Sequence, residues 1–142
     1  MAVSAKLYAS VYAKAFNKEI DLDTDTVKVM LCTSAYTPSQ TAHAYKSSIT
    51  NEVTGTGYTA GGATLASKTV GTSALVFTFD AADTVWANST ITARYAVVYV
   101  DTGTAGTSAL LFYVDFGQDF SAAGAAFTIA WDATGLMIHT AA

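Results

Sequence analysis

The chain of 142 residues carries 11 Asp and Glu against 7 Lys and Arg, a formal net charge of −4, and is 51% hydrophobic with only 13% charged residues. That length suits one domain, and high hydrophobicity with scarce charge excludes intrinsic disorder. Seven scattered cations form no basic stripe, which argues against a nucleic-acid partner, and no apolar run approaches the ~20 residues of a spanning helix, so no membrane partner is expected.

In the first segment Leu7 and Val11, and Tyr8, Tyr12 and Phe16, recur at spacings of four. This predicts one helix of about three turns within residues 1–18, ending near Asn17, followed by a single β domain over residues 19–142. The segment lacks the continuous apolar stretch of a secretory signal. Asp21, Asp23 and Asp25 read as a turn. Val27, Val29 and Leu31 then alternate with Lys28, Met30 and Cys32, the period of a strand. Tyr36–Ile49, which holds the only proline, reads as a polar loop with one helical turn around Thr41–Tyr45. Beyond a glycine-punctuated stretch, Leu75, Phe77 and Phe79 alternate with Val76 and Thr78. The run from Ile91 to Val100 sets Ile91, Ala93, Tyr95, Val97 and Tyr99 on one face, and Leu110, Phe112, Val114 and Phe116 share a face in its hairpin partner. FTIAW and GLMIHT close the chain around a turn at Asp132–Gly135.

About eight short strands with no crossover helix between them predict a mainly β protein, an antiparallel β-sandwich (jelly-roll-like or partial barrel) with one N-terminal helix. The expected core comprises Val27, Val29, Leu31, Leu75, Phe77, Val97, Phe112, Val114, Phe127 and Ile129. Ala (27) and Thr (22) supply a third of the residues, a composition suited to close-packed β surfaces.

The motifs that suggest chemistry fail on spacing. Asp21, Asp23 and Asp25 begin like a calcium loop, but Thr26 and Cys32 stand where such a loop needs Gly and Glu, so no metal site is expected. Asp101-Thr-Gly103 resembles the catalytic loop of aspartic proteases, yet only 41 residues follow Asp101, and the motif reads as a hairpin turn. Gly55-x-Gly57 with Gly61 and Gly62 misses the dinucleotide spacing, and no helix follows it to meet a phosphate. Cys32 lies in an apolar run with no cation or histidine beside it, the setting of an inert thiol. His43 and His139 belong to no ligand or nucleophile pattern. Neither a catalytic residue nor a cofactor is therefore expected, and the chain reads as non-enzymatic. Tyrosine in the helix and loops offers amphipathic contact surface, and the candidate interface is the helix face of Leu7, Tyr8, Val11, Tyr12 and Phe16.

Four segments, DTDTVKVMLCTSAYTP, NEVTGTGYTAGGATLASKTV, ITARYAVVYVDTGT and FTIAWDATG, resemble in that order a family of small virion structural proteins of tailed bacteriophages, of head-decoration or head-fibre type. The resemblance runs from about Ile20 to Gly135. It implies a non-enzymatic particle component bound outside the capsid and stabilising it, made in the host cytoplasm and assembled onto the virion surface. The implied partners are the major capsid protein and further copies of the chain, a trimer at a local three-fold position being one arrangement. Two other readings stay open: a tail, adaptor or baseplate component, and a glycan-binding module for host attachment that uses loop aromatics such as Tyr36, Tyr45 or Tyr58.

Overall fold

Period-two apolar patterning dominates the chain, and the computed structural model, which describes residues 2–141, is mainly β, with 48% strand and 6% helix. Its strands are β1 (Ser4–Leu7), β2 (Val27–Cys32), β3 (Ala63–Thr64), β4 (Thr69–Ser73), β5 (Val76–Asp80), β6 (Thr84–Val100), β7 (Leu110–Ile129) and β8 (Met137–Thr140). They form two antiparallel sheets, one ordered β1-β7-β6-β2-β3 and the other β4-β5-β8. The architecture is the expected antiparallel β-sandwich with one short helix, α1 (Val11–Phe16).

Two apolar clusters hold it together. Between the sheets, Val27, Val29 and Leu31 of β2 pack with Val98, Val114, Phe127 and Phe79. On the opposite face of the larger sheet, Met30, Cys32, Val97, Tyr99, Leu110 and Tyr113 are capped by Tyr8 and Tyr36. Both faces of the central strands are therefore dry, which is why Ala96–Val100 and Leu110–Val114 are buried without a break. Burial of such side chains stabilises by roughly 1.5–3 kcal/mol each before chain entropy is subtracted.

The N-terminal helix is much shorter than its spacing predicts. Residues 4–7 are an edge strand in register with β7, Ser4 opposite Asp115 and Leu7 opposite Phe112. The ladder continues through the Tyr8 N–H, which donates to the Leu111 carbonyl at 3.1 Å. Helix nucleation is costly, and an open strand edge satisfies the same backbone groups at once. Only the six residues of α1 stay helical, with Val11 and Lys14 turned inward. The segment assigned to a separate helical element is thus partly built into the main sheet. In the following loop the helical turn anticipated at Thr41–Tyr45 lies slightly later, as a 3-10 turn over Lys46–Ser48.

Two bulges redistribute the faces of the long hairpin. Ala93 pairs with Phe120 but Tyr95 with Asp115, so Phe116–Asp119 are extra residues opposite Arg94. Such bulges re-aim side chains. Ile91 and Ala93 face the inter-sheet core, whereas Tyr95, Val97 and Tyr99 face the second cluster, so the single face expected for these five residues is split. A second irregularity, where Val98 pairs with Phe112 and Tyr99 with Leu110, likewise separates Leu110 from Phe112. FTIAW begins inside β7 rather than as a strand of its own. Of the expected core, Leu75 is 64% exposed, because Ala74 at φ 52° and Leu75 form the β4–β5 turn. Phe77 is half-buried, and the other eight are buried.

Candidate functional site

The chemistry-bearing groups are engaged in structural roles. Asp21 accepts the N–H groups of Asp23 and Thr24 at 3.1 and 3.2 Å, while Asp25 accepts that of Asp21 at 2.8 Å, so two of the three aspartates close the turn. The Thr24 hydroxyl and backbone N–H hold the Asp21 carboxyl below its ordinary range. Asp101 accepts the Gly103 N–H at 3.0 Å and pairs with Lys28 at 2.6 Å, the lysine being the main cause of its lowered pKa. Asp115 takes Arg94 at 2.7 Å, again with a lowered pKa, and also accepts the Gly117 N–H at the bulge. Cys32 is fully buried, and burial pushes its thiol up to about 12. The Gly-rich stretch supports close packing: Gly62, at φ 78°, lies against the Val29 backbone, where a Cβ would sit 2.7 Å from Met30 Cα.

The loop tyrosines are likewise occupied. Tyr36 is buried, its hydroxyl 3.0 Å from the Tyr8 hydroxyl and 2.9 Å from His43 Nδ1. The Ser39 N–H also points at Nδ1, which fixes that nitrogen as an acceptor; Tyr36 then donates to His43 and Tyr8 donates to Tyr36. Tyr45 donates to Glu19 at 2.8 Å, and its ring carries the Lys14 ammonium at 3.3 Å from the centroid. Tyr58 donates to Glu52 and accepts the Leu31 N–H. All three hydroxyls are thus engaged within the chain; Tyr36 is buried, while Tyr45 and Tyr58 are half-buried.

The proposed helix interface divides. Tyr8 and Val11 are buried inside the molecule and drop out as interface residues. Leu7 lies on β1 and is half-buried. Tyr12 and Phe16 project outward, Phe16 being 86% exposed. Tyr12 also touches β8, its ring edge-on to His139 with centroids 5.7 Å apart.

Of the five, Leu7 and Tyr12 border an open apolar groove between the edge strand β1 and the β8 side of the smaller sheet, whereas Phe16 lies outside its lining. One part, about 590 Å³, is lined by Val3, Phe116, Phe120, Phe127, Trp131 and Asp132. A second, about 180 Å³, is lined by Lys6, Leu7, Tyr12, Ile138 and His139. Ala5, Phe112 and Leu136 line both. Rings stand at its walls, with Phe116 edge-on to Phe120 and Phe112 edge-on to Trp131. The Trp131 indole N–H is satisfied by Thr84 at 3.1 Å, leaving an apolar surface toward the groove side.

Comparison of the chain with protein-family models, with curated proteins and with solved structures gives no match. The groove is thus defined by its own chemistry. Sequence reasoning placed Phe112 and Phe127 in the core, set Phe116 on the same face as Phe112, and overlooked Val3, Phe120 and Ile138. The available signal was Phe120 itself, a lone aromatic in the polar stretch Gly117–Ser121, where no apolar neighbour requires it.

Proposed function

We propose that the chain is a non-enzymatic structural component of a tailed-bacteriophage virion, a decoration or cement protein bound to the outside of the head shell. The observation that carries this reading is the groove: a continuous apolar surface beside an edge strand, bordered by exposed Val3, Tyr12, Phe120 and Ile138. Contiguous exposed apolar surface with a polar surround marks a protein contact site. The resemblance of four ordered segments to phage virion proteins supplies the class of partner. The sandwich itself suits a building block, since Asp21, Asp101, Asp115, Cys32 and the loop tyrosines are engaged in packing, capping and ion pairs. Shell sites recur by symmetry, and several modest contacts made together raise effective concentration enough to hold each copy. Major capsid protein and further copies of the chain are the partners this predicts.

The test is co-sedimentation of the labelled protein with purified heads that lack it. Saturable binding at a fixed number of copies per head is expected. Protein that stays in the supernatant, or that saturates tails and not heads, overturns the decoration reading.

A further inference from the structure

The smaller sheet ends in a strand with an open edge: β4 pairs with β5 on one side alone. In that hairpin Ser73 faces Val76, Gly71 faces Thr78 and Thr69 faces Asp80. The Leu75 and Phe79 carbonyls accept N–H groups from the β8 side, at 2.7 and 2.8 Å. Backbone groups alternate between the two neighbours of a strand, so Val76, Thr78 and Asp80 bond toward β4. Thr69, Gly71 and Ser73 spend theirs on β5, and the N–H and C=O of Val70 and Thr72 point off the sheet, where no described residue meets them. Native edges are ordinarily blunted by charge, proline or short length. Among the described strands β1 carries Lys6, β3 has two residues, and Tyr12 stands against β8 at His139. β4 has five residues, TVGTS, largely exposed and without charge or proline. The flanking Lys68 is turned away, its ammonium held by the Leu22 and Asp25 carbonyls.

We infer that β4 pairs antiparallel with β4 of a second copy about a two-fold axis through Gly71, joining the two smaller sheets into one. The edge is complementary to itself in this register. Its two residues with free backbone groups flank Gly71 symmetrically, so Val70 meets the partner's Thr72 and the two exchange both N–H···O=C bonds, an arrangement the axis repeats. Val70 and Thr72 lie on the same face of β4, opposite Phe79 and Phe77, and meet as β-branched cross-strand pairs. Gly71 meets the partner's Gly71 at the non-hydrogen-bonded position, where strands approach most closely. A two-fold centred on Thr72 would set Val70 against Ala74 of the turn, and one centred on Val70 would set Thr72 against Lys68 outside the strand. The pairing uses the same edge of both copies and closes at two, with no charged residue of β4 opposed to its like. It is independent of the decoration reading and of the groove.

The experiment is sedimentation velocity of the full chain over a concentration series at low salt, with unfolding midpoints measured to show that each variant is folded. Gly71 tolerates a side chain in the single chain, since a Cβ there meets nothing within 4 Å and its φ lies outside the left-handed region. The wild type is expected to dimerise. Gly71→Lys and Gly71→Glu each place like charges across the axis and are expected to weaken the dimer about tenfold, while an equal mixture of the two recovers it as a mixed pair. Thr72→Pro, which removes an outward N–H that β5 does not use, is expected to give monomer. A wild type that stays monomeric to its solubility limit, a dimer indifferent to these changes, or a mixture no better than its components overturns the inference. Head binding measured on the same proteins separates the two readings. A monomeric wild type whose head binding is lost in Thr72→Pro shows that the edge takes a strand of the shell and overturns the second copy as its occupant. A Gly71-dependent dimer that ignores heads supports the pairing while refuting the decoration role.

Discussion

Tyr36→Phe should destabilise the protein more than Tyr8→Phe, although both rings are buried and both changes remove a single oxygen. The hydroxyls form a chain in which Tyr8 donates to Tyr36 and Tyr36 to His43. Tyr8→Phe removes the end of the chain while Tyr36 keeps its acceptor, a loss of one neutral hydrogen bond costing about 0.5–1.5 kcal/mol. Tyr36→Phe removes the middle. The Tyr8 hydroxyl, fully buried and with Tyr36 as its one partner, is left without an acceptor, which adds about 1–3 kcal/mol. In the double variant no hydroxyl is stranded, so its cost should fall below that of Tyr36→Phe by about 1–3 kcal/mol, and with the shared hydrogen bond counted once the double-mutant cycle should show a coupling of about 1.5–4.5 kcal/mol. Urea unfolding with a common slope reads all four stabilities. Equal costs for the two single variants, or strictly additive costs, would refute the donor order assigned here and with it the way the loop seals the second cluster.

Three further outcomes follow from the same structure. Gly62→Ala should cost about 2–5 kcal/mol, combining left-handed backbone strain with a methyl driven into the β2 backbone, and a loss under 1 kcal/mol in urea unfolding would contradict the close approach of this loop to β2. Burial raises Tyr8, Tyr36, Tyr58 and Tyr99, with Tyr36 and Cys32 at about 12, whereas in the unfolded chain tyrosine titrates near ~10. Stability from these groups is complete below the unfolded value and lost as pH rises through ~10 toward about 12; a tyrosinate absorbance titration should therefore show these four ionising only as the fold opens. Asp101 and Asp115 have lowered pKa values, so the stability they add is present above ~4 and lost as pH falls through their folded values, and Asp115→Asn should flatten the acid limb of a stability–pH profile.

Where the sequence is legible, local pattern and tertiary environment agree. Val27, Val29 and Leu31 alternate and do face the inter-sheet core. Leu75 fails because Ser73-Ala-Leu-Val76 turns without glycine, asparagine or proline, so nothing local marks the turn. Tyr95 and Leu110 fail because a bulge changes face without a compositional signal strong enough to place it. The spacing of Leu7, Tyr8, Val11, Tyr12 and Phe16 is compatible with a helix, yet the free edge of β7 claims the first two for the sheet region, a long-range choice that periodicity does not encode. The groove was only partly visible for the same reason. Val3, Phe120 and Ile138 lie more than a hundred residues apart at the extremes, and only the pairing of β1 with β7 and of β8 with β5 brings their strands to one side.

The placement of the chain in a virion is tested most directly by electron cryomicroscopy of particles purified from a culture that carries the gene, with the protein content of the same particles read by mass spectrometry. The account predicts the chain among the particle proteins, and at regular sites on the outer face of the head a density that fits this two-sheet sandwich. Particles that lack the chain, or that carry it with no such density on the head, would contradict it.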